Sequence, residues 1–263
     1  MIQEESKEFK LQELREYKVV KSNDLIQHTR FILTALEQKI ILYLISKIKP
    51  TDISFEEHEF HIREFFEVCR IDKDNGANYK YLKQTLKNLR DKSIWIKLPN
   101  GSQATLSWFT GVIINEKSGI VTIRFNDMMK PHLLQLKEKF TQFSVYYILA
   151  MRSLYSVRLY ELLKSYENMG GWKFELEELK TRLSAETYSR YPDFKRKVID
   201  TAVREINDYG DISVTYAVEK RGNKVTHVNF HVRPKKDVYE RMETWEKIDG
   251  ALGARKRGAG VEP

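Results

Sequence analysis

The stretch Arg190-Tyr191-Pro192-Asp193-Phe194-Lys195-Arg196-Lys197-Val198-Ile199-Asp200-Thr201-Ala202-Val203-Arg204-Glu205-Ile206-Asn207 decides the fold. At 100° per residue, Phe194, Val198, Ile199, Ala202, Val203 and Ile206 fall on one half of a helix. Arg196, Lys197, Asp200, Arg204 and Asn207 fall on the other. A long helix from Asp193 to Tyr209 is therefore expected, started by Pro192 and Asp193. Behind it, strands from Ile212 to Val218 and Val225 to Val232 flank the basic turn Glu219-Lys220-Arg221-Gly222-Asn223-Lys224. Ahead of it stand a helix from Leu154 to Tyr166 stopped by Met169-Gly170-Gly171, a strand-like Trp172 to Leu176, and a short helix from Glu177 to Leu183.

The same order occurs upstream. Asn23 and Asp24 are suited to cap a first helix through Leu25, Ile26 and Phe31-Ile32. Thr34-Ala35-Leu36-Glu37 reads as a capping box opening a helix with Leu36, Ile40, Ile41, Leu44, Ile45 and Ile48 at helical spacing, ended by Pro50. Phe60-His61-Ile62 leads into a helix through Phe65, Phe66 and Val68, and Tyr79 to Arg90 places Leu82, Leu86 and Leu89 on one face. Strands follow at Ile94-Trp95-Ile96, Ala104 to Ile114 and Gly119 to Phe125. Leu36 matches Leu154, Phe60 matches Phe174, Leu86 matches Val203 and Ile94 matches Ile212, at offsets of 118, 114, 117 and 118. A near-constant offset marks a duplicated domain.

Helix, helix, helix, β-hairpin is the order of a winged helix, whose third helix fits a major groove. The expected fold class is α+β: two tandem winged-helix domains, each a helix-turn-helix plus β-wing, related by internal duplication. The boundaries read as a flexible segment 1–22, domain 1 over 23–130, a linker helix 131–147, domain 2 over 148–236, and a disordered tail 237–263. Residues 250–263 hold 4 of the 12 glycines and the cluster Arg255-Lys256-Arg257.

Charge is unevenly placed. The chain carries +8 overall, yet Lys180 to Lys236 has 13 basic against 7 acidic residues, and Asn78 to Lys97 has 6 against 1. Two cationic surfaces on an otherwise slightly acidic chain suit a polyanion. Candidate DNA contacts are Arg190 flanking the N-terminal end of the long helix, Lys195, Arg196, Lys197, Asp200, Thr201 and Arg204 on it, and Lys220, Arg221 and Lys224 on its wing. A helix N-terminus attracts phosphate, and arginine can grip guanine bidentately. In domain 1, Lys80, Lys83 and Lys87 suit phosphates or a partner rather than base reading. Trp95, Trp108 and Phe109 read as core or dimer surface rather than stacking platforms.

Catalytic apparatus is not evident. Cys69 is the one cysteine, which fits a reducing compartment and leaves no cysteine-based zinc site. The His-hydrophobic-His pair of DNA-nicking initiators is missing. His227 and His231 lie four apart on an expected strand, about 13 Å from each other and too far to share a metal. No phosphate-cradling Gly-x-x-x-x-Gly-Lys loop or Gly-x-Ser-x-Gly elbow occurs. The start Met1-Ile2-Gln3-Glu4-Glu5 does not look like a signal peptide, and apolar runs are short, so a cytoplasmic protein without a membrane partner or cofactor is expected.

Arg190-Tyr191-Pro192-Asp193-Phe194-Lys195-Arg196-Lys197, Glu205-Ile206-Asn207, Tyr216 through Glu219-Lys220, Gly222, and Thr226-His227-Val228-x-Phe230 resemble the second winged helix of iteron-binding, theta-type plasmid replication initiators of the RepE and pi kind. Phe140-Thr141-Gln142-Phe143 and Arg158-Leu159-Tyr160-Glu161-Leu162-Leu163 resemble that family's inter-domain junction and the first helix of its second domain. The likeness spans about residues 23 to 236. It implies a non-enzymatic initiator that binds direct repeats (iterons) of double-stranded origin DNA as a monomer, helps open the origin, and represses its own promoter as a dimer on an inverted repeat. It further implies a homodimer through domain 1, and a host initiator and replicative helicase as partners. The family's base-contacting arginines fall on Arg190 and Arg196, while Lys197 stands where the family often has another arginine, so bidentate reading there is not carried over. A winged-helix transcriptional regulator without initiator activity is the alternative.

Overall fold

A computed structural model of the chain describes residues 13–49, 51–69, 76–97 and 101–254. Pro50 and the Arg255–Arg257 cluster lie outside them. Strand β1 (Lys18–Ser22) runs into α1 (Asn23–His28), where Ser22 is the cap, its hydroxyl accepting from the Leu25 amide at 3.2 Å. Helix α2 (Ala35–Ile45) opens with the expected box: the Thr34 amide donates to Glu37 Oε2 at 2.7 Å, and the Glu37 amide donates to Thr34 Oγ1 at 3.2 Å. Residues 37–45 are buried on every side, because α2 is the central helix of domain 1 and also packs against the first helix of domain 2.

Domain 1 continues through β2 (His58–His61), α3 (Ile62–Cys69), α4 (Gly76–Asp91), β3 (Ser93–Lys97), β4 (Gln103–Ser107), β5 (Phe109–Asn115) and β6 (Ile120–Phe125). Its three-stranded antiparallel sheet has the order β2-β6-β5, which makes the β5–β6 turn the wing. The single strand expected over Ala104 to Ile114 is two strands. It breaks at the fully buried Trp108: β4 pairs with β3 in a separate hairpin, and β5 pairs with β6. That hairpin is an insertion, since the equivalent pairs Phe60↔Val121 and Phe174↔Val228 show the offset falling from 114 to 107 across it.

The segment expected as a linker helix, 131–147, is instead a helical turn α5 (Lys130–Leu133), a strand β7 (Phe140–Ser144) and a turn α6 (Tyr146–Leu149). Strand β7 pairs antiparallel with β1, from Ser22↔Phe140 to Lys18↔Ser144, so residues 18–22 are no flexible segment either. The alternation of Phe140-Thr141-Gln142-Phe143-Ser144 is strand-like, but its partner lies at the other end of domain 1.

Domain 2 repeats the plan with α7 (Leu154–Lys164), β8 (Gly171–Glu175), α8 (Leu176–Arg182), a continuous helix α9 over 191–209, β9 (Ile212–Arg221) and β10 (Lys224–Pro234). The sheet order is β8-β10-β9. Gly171 sits at φ +130°, and a Cβ there would lie 2.0 Å from the Phe230 carbonyl oxygen, so only glycine lets β8 start against β10. Of the tail expected to be disordered over 237–263, Val238–Ala254 form helix α10, and residues 255–263 lie outside the described residues. Ile248 and Leu252 are buried, Trp245 is half-buried against them, and Tyr146 donates to Asp249 at 2.6 Å. Its apolar spacing was hidden behind its glycines and charges.

Candidate nucleic-acid interface

Helix α9 consists of Tyr191–Phe194, a π-helical turn Lys195–Ile199 and Asp200–Tyr209. Phe194, Val198, Ile199, Ala202 and Ile206 are fully buried, which leaves the opposite face to solvent. In the π turn the Asp200 amide donates to the Lys195 carbonyl, and the Thr201 hydroxyl donates to the Arg196 carbonyl at 3.2 Å. Such wide turns are rare and concentrate at functional sites. This one falls on Lys195, Arg196 and Lys197, and a 3.6-residue period carries no sign of it.

The polar face divides into residues presented outward and residues that brace them. Arg190, Lys197 and Arg204 are exposed, and the Arg196 side chain is 73% exposed with only a 3.6 Å ion pair to Asp193. Lys195 donates to Asp200 Oδ2 at 2.7 Å, and the Tyr216 hydroxyl of β9 donates to Asp200 Oδ1. Burial pushes the Asp200 carboxyl up, but these two hydrogen bonds outweigh it and hold the group below its ordinary value. Burial, and the hydrogen bond to Asp200, push the Tyr216 hydroxyl up to about 12. Asn207 makes a two-way bond to Val214 of β9, donating at 2.9 Å and accepting at 2.7 Å. Asp200 and Asn207 thus tie the helix to the wing, and Lys195 is held by the same tie. A helical wheel puts Asp200 on the polar face with the candidate contacts, because it does not reveal a partner on a strand.

The wing extends past the sheet. Strand β8 pairs with β10 only over His227–His231, while β9 and β10 stay paired out to Arg221↔Lys224. Lys220, Arg221 and Lys224 are exposed on this free ribbon. Its two-residue turn has Gly222 at φ +61° and no positive φ at Asn223, the pattern of a type II′ hairpin turn. His227 and His231 lie on β10, where His227 contacts Thr226 and Glu219, and among the described residues no group of three His, Cys, Asp or Glu is placed to hold a metal.

Domain 1 presents a weaker surface. Leu82, Leu86 and Leu89 of α4 are buried and Lys80, Lys83 and Lys87 exposed, but Lys83 is ion-paired with Glu116 of the β5–β6 turn and Lys87 with Asp91 at 3.3 Å. The hydrogen bond to Glu116 raises the Lys83 ammonium above its ordinary value. Of the three aromatics, Trp108 and Phe109 are core and Trp95 is 58% exposed on the inserted hairpin.

Residues 18–164 match the family model described as initiator replication protein, WH1, and residues 175–232 match the one described as initiator Rep protein, WH2. The chain belongs to the initiator replication protein family. Among relatives of this initiator, a replication initiation protein of Escherichia coli is 25% identical over 233 residues, covering 83% of this chain and 70% of that protein. The PI protein of Escherichia coli is 33% identical over 131 residues, 43% of each chain. The family is one of DNA-binding plasmid replication initiators, and the two matched segments are its tandem winged-helix domains. No helix among the described residues is long and apolar enough to cross a membrane.

Proposed function

We propose that this initiator reads repeated elements of duplex origin DNA as a monomer, with α9 in the major groove and the β9–β10 ribbon along the adjoining backbone. The observation that carries this reading is the set of exposed cations formed by Arg190 at the start of α9, Arg196, Lys197 and Arg204 on it, and Lys220, Arg221 and Lys224 on the ribbon to which that helix is tied. Asp200 and Tyr216 lock helix and ribbon into one unit, so base-reading and phosphate-tracking parts arrive together. Lys80, Lys83 and Lys87 of α4 add phosphate contacts from domain 1. The initiator acts without catalysis, helps open the origin and engages the host initiator and replicative helicase. The test is genetic: this reading frame with its flanking repeats should maintain an otherwise non-replicating circle. Binding to the repeats without maintenance would favour a transcriptional regulator.

Lys224→Ala should weaken binding to cognate and random duplexes alike and lower the slope of log affinity against log salt by about 1, one phosphate contact's worth. Salt titrations of gel shifts measure this, and an unchanged slope would remove Lys224 from the backbone-tracking surface.

Domain 1 supplies the dimer interface of the proposed autorepressor. Strand β5 is an edge of its sheet, and an open edge invites a second copy. Val112 and Ile114 pack against domain 1's own core, and it is Ile113, 65% exposed, that faces outward. Ile113→Glu should shift the population to monomer, increase direct-repeat binding and abolish preference for an inverted repeat. Light scattering across a concentration series with paired gel shifts checks it; a dimer fraction equal to wild type would exclude β5.

A further inference from the structure

The two domains meet at a junction built from charge and forked hydrogen bonds rather than apolar contact alone. Lys21 of β1, 1% exposed, is ion-paired at 2.6 Å with Glu161 of α7, 2% exposed. Three residues earlier on α7, Arg158 donates through Nη2 to the Ile26 carbonyl at 2.7 Å and the Thr29 carbonyl at 2.8 Å. Its guanidinium lies over the Phe31 ring, 4.7 Å from the centroid. Arg182 of α8 donates to the Gln27 carbonyl, and the Ser184 hydroxyl to the Phe31 carbonyl at 3.2 Å.

The backbone acceptors all lie in one stretch, residues 26–31, at and after the end of α1. The last carbonyls of a helix have no partner inside it. For α1 the second domain supplies partners to two of them, the carbonyls of Ile26 and Gln27. Sliding the domains by even one residue would orphan these carbonyls and part a buried ion pair, so this arrangement has no graded neighbours. A buried ion pair contributes little net stability compared with an apolar pair of the same shape. What it and a planar fork do supply is direction, because each donor accepts only a narrow geometry.

We propose that Arg158 and Arg182, with the Lys21–Glu161 pair, are positioning residues for DNA reading: they hold α4 in one register to α9 and thereby fix the spacing between the two elements contacted on one duplex. This rests on the reading that both domains touch the same DNA. None of the four residues belongs to the cationic surface described above.

The test has a DNA-free arm and a DNA arm. Spin labels at Gln84→Cys on α4 and Met169→Cys in domain 2, with Cys69 replaced by serine and labelled protein diluted into unlabelled, should give one narrow distance distribution. Arg158→Lys, which keeps the charge and loses the fork, should broaden it, and Arg182→Ala, at the junction's half-buried margin, should broaden it less. Thermal melts confirm that both variants fold. The DNA arm uses duplexes that the wild-type protein selects from a randomised pool, then the same duplexes with one or two base pairs inserted between the two protected elements. Insertion should cost the wild type about tenfold or more in affinity. Arg158→Lys should show a flattened dependence on spacing, a readout that general destabilisation would not move. A distance distribution unchanged in Arg158→Lys would overturn the proposal, as would broadened distances with wild-type spacing dependence. Failure of the wild type to select any duplex would overturn the DNA reading itself and the positioning role with it, whatever the labels report.

Discussion

Glu161→Gln is expected to lower the stability of this initiator by about 3–5 kcal/mol, because it leaves one partner of a buried ion pair uncompensated. Lys21 cannot reach water: it is 1% exposed, with the Phe31 and Trp108 rings each 5.9 Å from its ammonium. Burial already pushes Lys21 below its ordinary value, against the attraction of Glu161, and the nearby Arg158 adds to the lowering. Removing the carboxylate pushes it further down. Between the depressed folded value and the unfolded one of about 10.4, the unfolded chain binds more protons than the folded one, so stability rises with pH across that window. In Glu161→Gln the window opens at lower pH than in the wild type. Urea midpoints of the variant should therefore increase from pH 7 to pH 9, and a flat response would mean that Lys21 stays charged without its partner. The double variant Lys21→Met, Glu161→Leu should recover most of the loss, since two apolar groups of similar size demand no desolvated charge.

The parts of this fold that were legible in the sequence are those whose cause is local. The two faces of α9 follow from a 3.6-residue period, and the Thr34–Glu37 box from a spacing of three. Strand β7 reads as part of a linker helix in the sequence because what makes it a strand is β1, 118 residues away at the Ser22↔Phe140 pair. The break at Trp108 is equally non-local, set by which strand each half finds as partner. Helix α10 was obscured because Ile248 and Leu252 acquire meaning only against the domain they cover. In the candidate site, the exposure of Arg196, Lys197 and Arg204 follows from helical phase. The capture of Lys195 by Asp200, and of Asp200 by Tyr216, joins a helix to a strand through side chains whose register no periodicity specifies.

That division between free and braced cations sets the expectation for Arg196→Ala. Arg196 combines high exposure with a long, weak ion pair and a place on the π turn, so it can leave Asp193 for a base edge at little cost. A bidentate arginine–guanine contact is worth about 1–3 kcal/mol of discrimination. Arg196→Ala should therefore weaken binding to the selected duplex by roughly 5- to 150-fold at constant salt while random duplex binding stays nearly intact, because base contacts specify and phosphate contacts position. Lys195→Ala provides the contrast. Its ammonium is held above its ordinary value first by the hydrogen bond to Asp200, so its loss frees the Asp200 carboxylate beside the phosphates and should weaken both kinds of duplex. Competition gel shifts at fixed ionic strength, with both duplexes in the same titration, separate the two variants. Equal losses on cognate and random DNA for Arg196→Ala would move that arginine from the base edges to the backbone, and Arg190, at the exposed start of the same helix, would become the next residue to test for base reading.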